Sequence, residues 1–383
     1  MNAQLPRSKA AKRLALLEKF SPVLAVLVAM AVASIALIII GKNPLVVYGT
    51  MFYFAFGRMD SIANILYKAT PLIFAGIACA VGFRVGLFNI GVEGQYLIGV
   101  LCAASVGFAV KGLPVYIHLP LTILAGAAGG ALWALVPIWL KLKRGVHEVI
   151  TTIMLNHTAF LFVQFLVAGP LMDKTQVIGP AGGGFGSLRA RTPALLPTAR
   201  MPDLHGTLEK IGIDFPAGSV NWFLILALLA AVGLWYLLWK TPFGLELRAV
   251  GHNPKAAETA GIRSNAVIFR TFLLSGAVAG LAGLSDLLGY FGYLDIDFPR
   301  NFGFTGIAVA LVGRNSAVGI VLASVLFGFL SRGGMGILII EKVPMETYYI
   351  LQGLIILCIV MASEVIRRYA RAQQKKEEAS ANA

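Results

Sequence analysis

Residues 240–263 read KTPFGLELRAVGHNPKAAETAGIR, a polar stretch that separates two long apolar runs at 222–239 and 266–288. An apolar run of about 20 residues is long enough to cross the hydrocarbon core of a bilayer as a helix. Because the chain is 58% hydrophobic and only 13% charged, runs of this kind dominate it. We therefore predict an all-α polytopic membrane protein in which residues 240–265 connect two spans on the cytoplasmic side.

A short helix with a marked start and stop is predicted inside this loop. Asn253 can cap its N-terminus, and Pro254 takes the first helical position, where a missing N–H has no cost. Gly261 supplies a left-handed stop. About two turns of helix are unstable alone in water, so this helix needs a surface to pack on. The small residues that would let such a surface approach closely are Ala256, Ala257 and Ala260.

Two interpretations of this helix stay open on spacing alone. In the first, the helix docks into a separate motor protein and passes its movement to the spans, so a bulky residue at Ala257 or Ala260 would abolish transport. In the second, the helix is a solvated connection between two spans.

The charge at the two ends of the chain predicts the topology. The net charge is +14, but the basic residues cluster at span ends and in the tails at 1–20 and 367–383. This pattern is typical of the cytoplasmic segments of membrane proteins rather than of nucleic-acid binding. Both tails are therefore predicted to be cytoplasmic, which requires an even number of crossings in the membrane domain at 21–366.

About ten membrane segments fit these constraints, with an external connection at 41–61 and a long external loop at 169–220. The predicted segments are 21–40, 62–81, 90–110, 118–140, 148–168, 222–239, 266–289, 303–312, 317–330 and 347–363. Ten residues of helix rise about 15 Å, roughly half the core, so 303–312 is predicted to be a broken or half-length helix.

Two breaks in the spans are predicted, at 82–94 and at 303–315. Four glycines fall within the first break, and Gly313-Arg314-Asn315 divides the second. Non-helical backbone at membrane depth is tolerated only where protein or a water-filled cavity surrounds it. The breaks therefore point to a translocation path, and their similar places in the two halves hint at an internal repeat.

Catalytic and metal-binding patterns are missing from the sequence. It contains no HExxH, CxxC, Walker A or GxSxG motif, and its five histidines and three cysteines are scattered. We therefore predict a transport protein that is not an enzyme, with no metal and no cofactor of its own.

Polar residues inside apolar runs are the candidates for the translocation path, because an unpaired polar group in hydrocarbon costs several kcal/mol. They are Asn89, Glu93, Gln95, Asn156, Asp286 and Asn315. Either they line a polar path for a hydrophilic solute or they cap and join helices. Capping is the favoured interpretation for Asn89 and Glu93 at a helix start. Asn156, deep in a span, is the better candidate for contact with solute.

Three stretches carry a resemblance to a known family: FNIGVEGQ (88–95), EVITTIMLN (148–156) and TPFGLELRAVGHNPKAAETAGI (241–262). The chain resembles permease subunits of bacterial ABC importers, in the branch of ribose and branched-chain amino-acid permeases. Within that branch it is most similar to the nucleoside permeases that work with basic membrane lipoproteins. The last stretch is similar to the family's ATPase-contact segment, and the matching positions are Gly251, Asn253, Pro254, Ala256, Ala257, Ala260 and Gly261.

This resemblance implies a multi-pass protein of the bacterial inner membrane that imports nucleosides, or a related nucleobase or sugar, by alternating access. The implied partners are separate ABC ATPase subunits, a second permease that is a paralogous chain or a second copy, an extracellular solute-binding lipoprotein, and the lipid bilayer. Permeases for simple sugars or branched-chain amino acids are alternatives of the same architecture. A further alternative is an ion-coupled secondary transporter, which would need an intramembrane carboxylate such as Glu93 or Asp286.

Overall fold

The structure, a computed structural model, describes most of the membrane domain and little of the tails. The described residues are 26–175 except 36, 189–344 except 211, 213–215, 217–219 and 300, and 346–347, 349–350, 352–354, 356–358, 361, 365 and 368. The predicted cytoplasmic tails thus lie outside the described residues except for Arg368, and the predicted segment at 347–363 is only partly described. Within the described part the chain is helical and forms no strand, which confirms the all-α prediction there.

Thirteen α-helices are described, together with a 3₁₀ turn at Pro197–Ala199 and a π-helix at Ser285–Phe291. In chain order the helices are α1 (Val26–Ile39), α2 (Pro44–Phe56), α3 (Met59–Arg84), α4 (Val92–Ala109), α5 (Val115–Arg144), α6 (Glu148–Ala168), α7 (His205–Glu209), α8 (Phe223–Lys240), α9 (Pro242–His252), α10 (Pro254–Thr259), α11 (Ser264–Leu281), α12 (Phe302–Val312) and α13 (Ala317–Ile340).

Seven of the described helices are long and apolar enough to cross a membrane: α3, α4, α5, α6, α8, α11 with its π-helical extension, and α13. The number rises to eight if α1 and α2, which meet at 116°, together form one broken span. The protein is therefore polytopic, as the composition predicts.

The chain divides into two compact units, of which the smaller comprises Met1–Gly57 and Leu330–Ala383. In this unit α2 packs on the last part of α13, where a Cβ added to Gly333 would lie 2.2 Å from Cγ of Met51. Asn43 caps α2 by accepting a hydrogen bond from the amide of Leu45 at 3.0 Å. A helix therefore occupies much of the stretch at 41–61 that the sequence analysis assigns to an external connection.

The larger unit, Arg58–Phe329, is built around α3 and a tight crossing of α4, α5 and α11. Glycines bring the helix backbones into contact at this crossing. A Cβ added to Gly130 of α5 would lie 2.2 Å from the carbonyl oxygen of Gly276, and one added to Gly280 would lie 2.2 Å from that of Gly126. Small residues are the usual means of close helix packing in membranes, where no hydrophobic effect drives helices together.

The described parts of the predicted external loop fold over one end of α11. The amide of Thr192 donates to the carbonyl of Leu294 at 2.8 Å, and the amide of Met201 donates to that of Leu288 at 3.0 Å. Burial, reinforced by the nearby Asp297, raises the pKa of Asp295 in this region above its ordinary value. The polar stretch at 240–263 precedes the opposite end of α11, so the span separates the two loops.

Candidate functional site

The polar stretch at 240–263 forms two successive helices, each opened by a capping residue followed by proline. The hydroxyl of Thr241 accepts a hydrogen bond from the amide of Gly244 at 3.1 Å, at the start of α9. Asn253 likewise accepts from the amides of Lys255 and Ala256 at 3.1 and 3.2 Å, at the start of α10. The predicted short helix is α10. Helix α9 is not among the predicted elements, although Thr241-Pro242 carries the same start pattern as Asn253-Pro254.

The predicted stop of α10 has the expected geometry. Gly261 adopts φ +84°, and the amide of Ile262 donates to the carbonyl of Ala257 at 3.0 Å. This is the bond of a left-handed helix stop, which favours glycine. The hydroxyl of Ser264 donates to the carbonyl of Pro254 at 3.0 Å and so ties α10 to the start of α11.

Ala256 and Ala257 of α10 and Ala260, the residue that follows this helix, do not share one surface. Ala257 is only 4% exposed and packs within this chain, whereas Ala256 and Ala260 are exposed. The predicted partner-facing surface of three alanines is therefore not a single surface, because one of the three is buried. Only Ala256 and Ala260 are available to a surface outside the chain.

Gly251 places α9 directly against the end of α3. A Cβ added to Gly251 would lie 1.8 Å from the carbonyl oxygen of Arg84, a distance that no side chain tolerates. At the other end of α9, a Cβ added to Gly244 would lie 2.0 Å from the carbonyl oxygen of Leu237 in α8. The helix is therefore fixed by backbone contact to the ends of two membrane spans.

The predicted half-length helix is present as α12, which has 11 residues. It ends at Val312, and α13 starts at Ala317, so the division falls where the sequence predicts it. Arg314 and Asn315 both adopt left-handed backbone conformations, each with φ +54°. Such conformations are uncommon in non-glycine residues and cluster at functional sites.

Both ends of α12 are bonded to the first predicted break. At its N-terminus, the carboxylate of Glu93 accepts hydrogen bonds from the amides of Asn301 and Gly303 at 2.7 and 2.8 Å. Just beyond its C-terminus, Nη2 of Arg84 donates to the carbonyl of Asn315 at 2.8 Å. Glu93 is therefore a capping residue, but it caps a helix distant in sequence rather than its own.

Asn89 and Gln95 form a closed hydrogen-bond network behind this cap. Their side-chain amides bond each other at 2.9 and 3.1 Å, and Nδ2 of Asn89 donates to the hydroxyl of Ser275 at 2.8 Å. Both side chains are 1% exposed. Asn89 also accepts from the amide of Gly91 at 3.1 Å, so it stabilises the turn at the break.

Asn156 joins α6 to the same break. Its side-chain oxygen accepts from the amide of Gly94 at 2.8 Å, and its Nδ2 donates to the carbonyl of Ile90 at 2.9 Å. The amide that the sequence analysis favours for solute contact is thus engaged inside the protein.

Asp286 lies apart from these residues, in the π-helix at Ser285–Phe291. It is 1% exposed, and its side chain is bonded by Tyr67. Its Oδ1 and the hydroxyl of Ser285 have no hydrogen-bond partner among the residues that the structure describes.

A cavity of about 360 Å³ lies beside the cap of α12. It is lined by Glu93, Leu97, Ile153, Asn156, His157, Phe160, Asn301 and Phe304. Of the predicted path residues, the cavity brings Glu93 and Asn156 together, whereas Asn89, Gln95, Asp286 and Asn315 are not in its wall. His157 and Phe304 are exposed; His157 is a polar residue inside the apolar run at 148–168, as Asn156 is, whereas nothing in the local sequence marks Phe304 as a site residue. In the described part of the chain, no group of three or more His, Cys, Asp or Glu side chains could hold a metal.

Comparison with known proteins gives one family match and several long relatives. Residues 61–360 match the family described as the permease component of branched-chain amino acid transport systems. The chain is 38% identical to the guanosine ABC transporter permease protein NupP of Bacillus subtilis, over 94% of this chain and 97% of the relative. It is 36% identical to the glucose ABC transporter permease protein TsgB13 of Haloferax volcanii, over 91% and 88%. It is 32% identical to the nucleoside ABC transporter permease protein NupB of Lactococcus lactis, over 89% and 90%. No solved structure gives a significant match.

Proposed function

The chain belongs to the permease-component family of branched-chain amino acid transport systems, and from that premise we propose that it imports nucleosides. It is a permease subunit of an ATP-driven importer, a multi-pass protein of the inner membrane that works with an ATPase and a solute-binding protein. The similarity to a guanosine permease over nearly the full length of both chains is the observation that carries the choice of nucleosides.

ATP hydrolysis reaches the spans through residues 240–263, here called the coupling segment. The exposed face of α10, with Ala256 and Ala260, docks on the ATPase. Movement passes to α3 through the contact of Gly251 with the carbonyl of Arg84, and from Arg84 to the second break through its bond to Asn315. Backbone contacts transmit displacement because close-packed interiors do not absorb it.

The solute path runs along the cavity beside Glu93, in a space completed by a second permease. The exposed ring of Phe304 offers a face on which a planar base can stack, and the exposed His157 offers a hydrogen bond. Asn89, Gln95 and Asn156 shape this wall through their internal hydrogen bonds. Asp286 and Asn315 are further candidates along the path, because Oδ1 of each has no hydrogen-bond partner among the described residues.

We also propose the number of membrane segments and the side of the membrane on which each loop lies. About ten membrane segments, with both termini and the coupling segment in the cytoplasm and the loop at 169–220 outside, satisfy the distribution of basic residues. The separation of the two loops by the 28-residue span Ser264–Phe291, roughly 40 Å of helix, supports their placement on opposite sides. An extracellular lipoprotein then delivers solute at the end of α11 that the outer loop covers.

Uptake by the reconstituted importer tests the proposal. Proteoliposomes that contain the permease pair, the ATPase and the binding protein are supplied with ATP and with labelled guanosine, uridine, glucose or leucine. We expect ATP-dependent uptake of the nucleosides only. Uptake of leucine or glucose in place of nucleosides would contradict the choice of solute, and uptake driven by an ion gradient without ATP would contradict the mechanism.

Glucose is the second candidate solute because the permease of Haloferax volcanii is 36% identical to this chain. The two candidates differ in chemistry: a base offers a flat π face, whereas a sugar offers hydroxyl groups. Replacement of Phe304 by leucine removes the aromatic ring but keeps an apolar side chain. This variant should therefore weaken nucleoside uptake and leave glucose uptake, if there is any, unchanged.

A further inference from the structure

A second cavity, of about 590 Å³, lies between α8 and α13 near the coupling segment. Its walls are mainly apolar and include Leu228, Trp235 and Trp239 of α8 and Val318 and Leu322 of α13. The side chains of Val318 and Leu322 are 72% and 65% exposed, so the cavity opens as a groove on the outer surface of this chain. In a membrane protein such a surface meets lipid or another span.

One end of the groove is polar and carries unsatisfied groups. Arg84, Asn315 and Ser316 line it there. Nε of Arg84 and Oδ1 of Asn315 are buried, and neither has a hydrogen-bond partner among the described residues. The bond from Nη2 of Arg84 to the carbonyl of Asn315 leaves Nε as a free donor at this end. A buried guanidinium donor without a partner is costly, and a ligand acceptor would remove that cost.

Two more cations lie over tryptophan rings that line the groove. The guanidinium of Arg248 lies 4.4 Å from the ring centroid of Trp239, and the ammonium of Lys240 lies 5.9 Å from that of Trp235. Both tryptophans line the groove, and none of its described lining residues is acidic. Arg84, Lys240 and Arg248 thus lie beside the apolar groove, and Nε of Arg84 is the unpaired donor at its polar end.

We propose that this groove binds an anionic phospholipid. An acyl chain fits the apolar walls, while the phosphate accepts a hydrogen bond from Nε of Arg84 and lies within the field of Lys240 and Arg248. Basic pockets between membrane helices are a recognised means of holding anionic head groups. Because these three cations are present and the described lining residues include no carboxylate, a head group with a net negative charge fits the groove better than a zwitterionic one.

The site lies on the link between the coupling segment and α12, because Arg84 contacts both Gly251 and Asn315. A phosphate on Nε holds the guanidinium without displacing its bond to Asn315. The lipid therefore stabilises the Arg84 contact through which the two breaks are connected. This inference requires only that the protein lies in a membrane and does not depend on the solute.

Native mass spectrometry of the purified permease complex tests the inference, with titrations of phosphatidylglycerol and phosphatidylcholine of equal chain length. The test variant is Lys240→Gln with Arg248→Gln, and the matched control is Lys143→Gln with Arg144→Gln, two exposed cations at the end of α5. A basic residue near an anionic head group contributes about fivefold in affinity, so the test variant should bind phosphatidylglycerol about 25-fold more weakly. The control and the affinity for phosphatidylcholine should not change.

A second variant, Val318→Trp, fills the groove without any change in charge. It should lower the binding of phosphatidylglycerol while all three cations remain. Equal binding of the two lipids by the wild type, an equal loss in the control, or full binding by Val318→Trp would each overturn the inference. So would a cross-link from Val318→Cys to another protein subunit in the intact complex, since that subunit would then occupy the groove.

Discussion

At the scale of single residues, Glu93 shows how one carboxylate can hold a broken membrane segment. Its two oxygens accept from the amides of Asn301 and Gly303, which begin α12, and it is 5% exposed. A negative charge at a helix N-terminus is stabilised by the helix dipole as well as by these bonds. Glu93 is therefore a capping residue, as its position at a helix start suggests, but the helix that it caps cannot be identified from its place in the sequence.

Replacement of Glu93 by glutamine should lower the stability of the protein. Glutamine keeps one acceptor oxygen but loses the charge and leaves one buried amide unpaired, at a cost of about 1–3 kcal/mol. We expect a lower melting temperature in detergent, with uptake retained below that temperature. Asp60→Asn, at an exposed ion pair with Arg58, is the control and should melt like the wild type. Complete loss of uptake at unchanged melting temperature would instead favour the ion-coupled alternative.

At the scale of elements, the sequence predicts what is local and misses what is distant. The start and stop of α10 follow from Asn253, Pro254 and Gly261, because a cap and a left-handed stop act within a few residues. The partner of Glu93 lies 208 and 210 positions away, and no pattern in one sequence encodes that contact. The same limit applies to Asn156, whose amide forms hydrogen bonds with Gly94 and Ile90 of the first break that its own sequence position does not predict.

The contact between α9 and α3 gives a test of the coupling route. In Gly251→Ala the new Cβ would meet the carbonyl oxygen of Arg84 at 1.8 Å, so α9 must move away from α3. We expect uptake to fall at least tenfold while the ATPase still copurifies with the permease. Gly233→Ala in α8 is the matched control, because a Cβ there meets nothing within 4 Å. Wild-type uptake by Gly251→Ala would rule out this contact as the route.

Because Ala260 is exposed and Ala257 is buried, substitutions at these two positions test docking and folding separately. Ala260→Trp projects from the exposed side of α10 and should block copurification of the ATPase without a change in melting temperature. Ala257→Trp forces a large ring into a buried site and should lower the melting temperature, at a cost of about 1–3 kcal/mol or more. Both effects are measured on the same purified permease. If Ala260→Trp binds the ATPase normally, the docking role of α10 is contradicted and α10 is a solvated connection between two spans.

At the scale of the whole molecule, the positions of the two loops decide the direction of transport. The coupling segment and the described part of the loop at 169–220 lie at opposite ends of α11, and in the proposed function the first faces the ATPase and the second faces the binding protein. Labelling with a membrane-impermeant maleimide checks this arrangement. In a background with Cys79, Cys102 and Cys358 replaced by alanine, Gly206→Cys in the loop should react in intact cells, because Gly206 is exposed and a Cβ there meets nothing within 4 Å. Lys255→Cys, on exposed α10, should react only after the membrane is permeabilised. The reverse pattern would turn the coupling segment away from any cytoplasmic ATPase and end the proposal of an ATP-driven importer with this orientation.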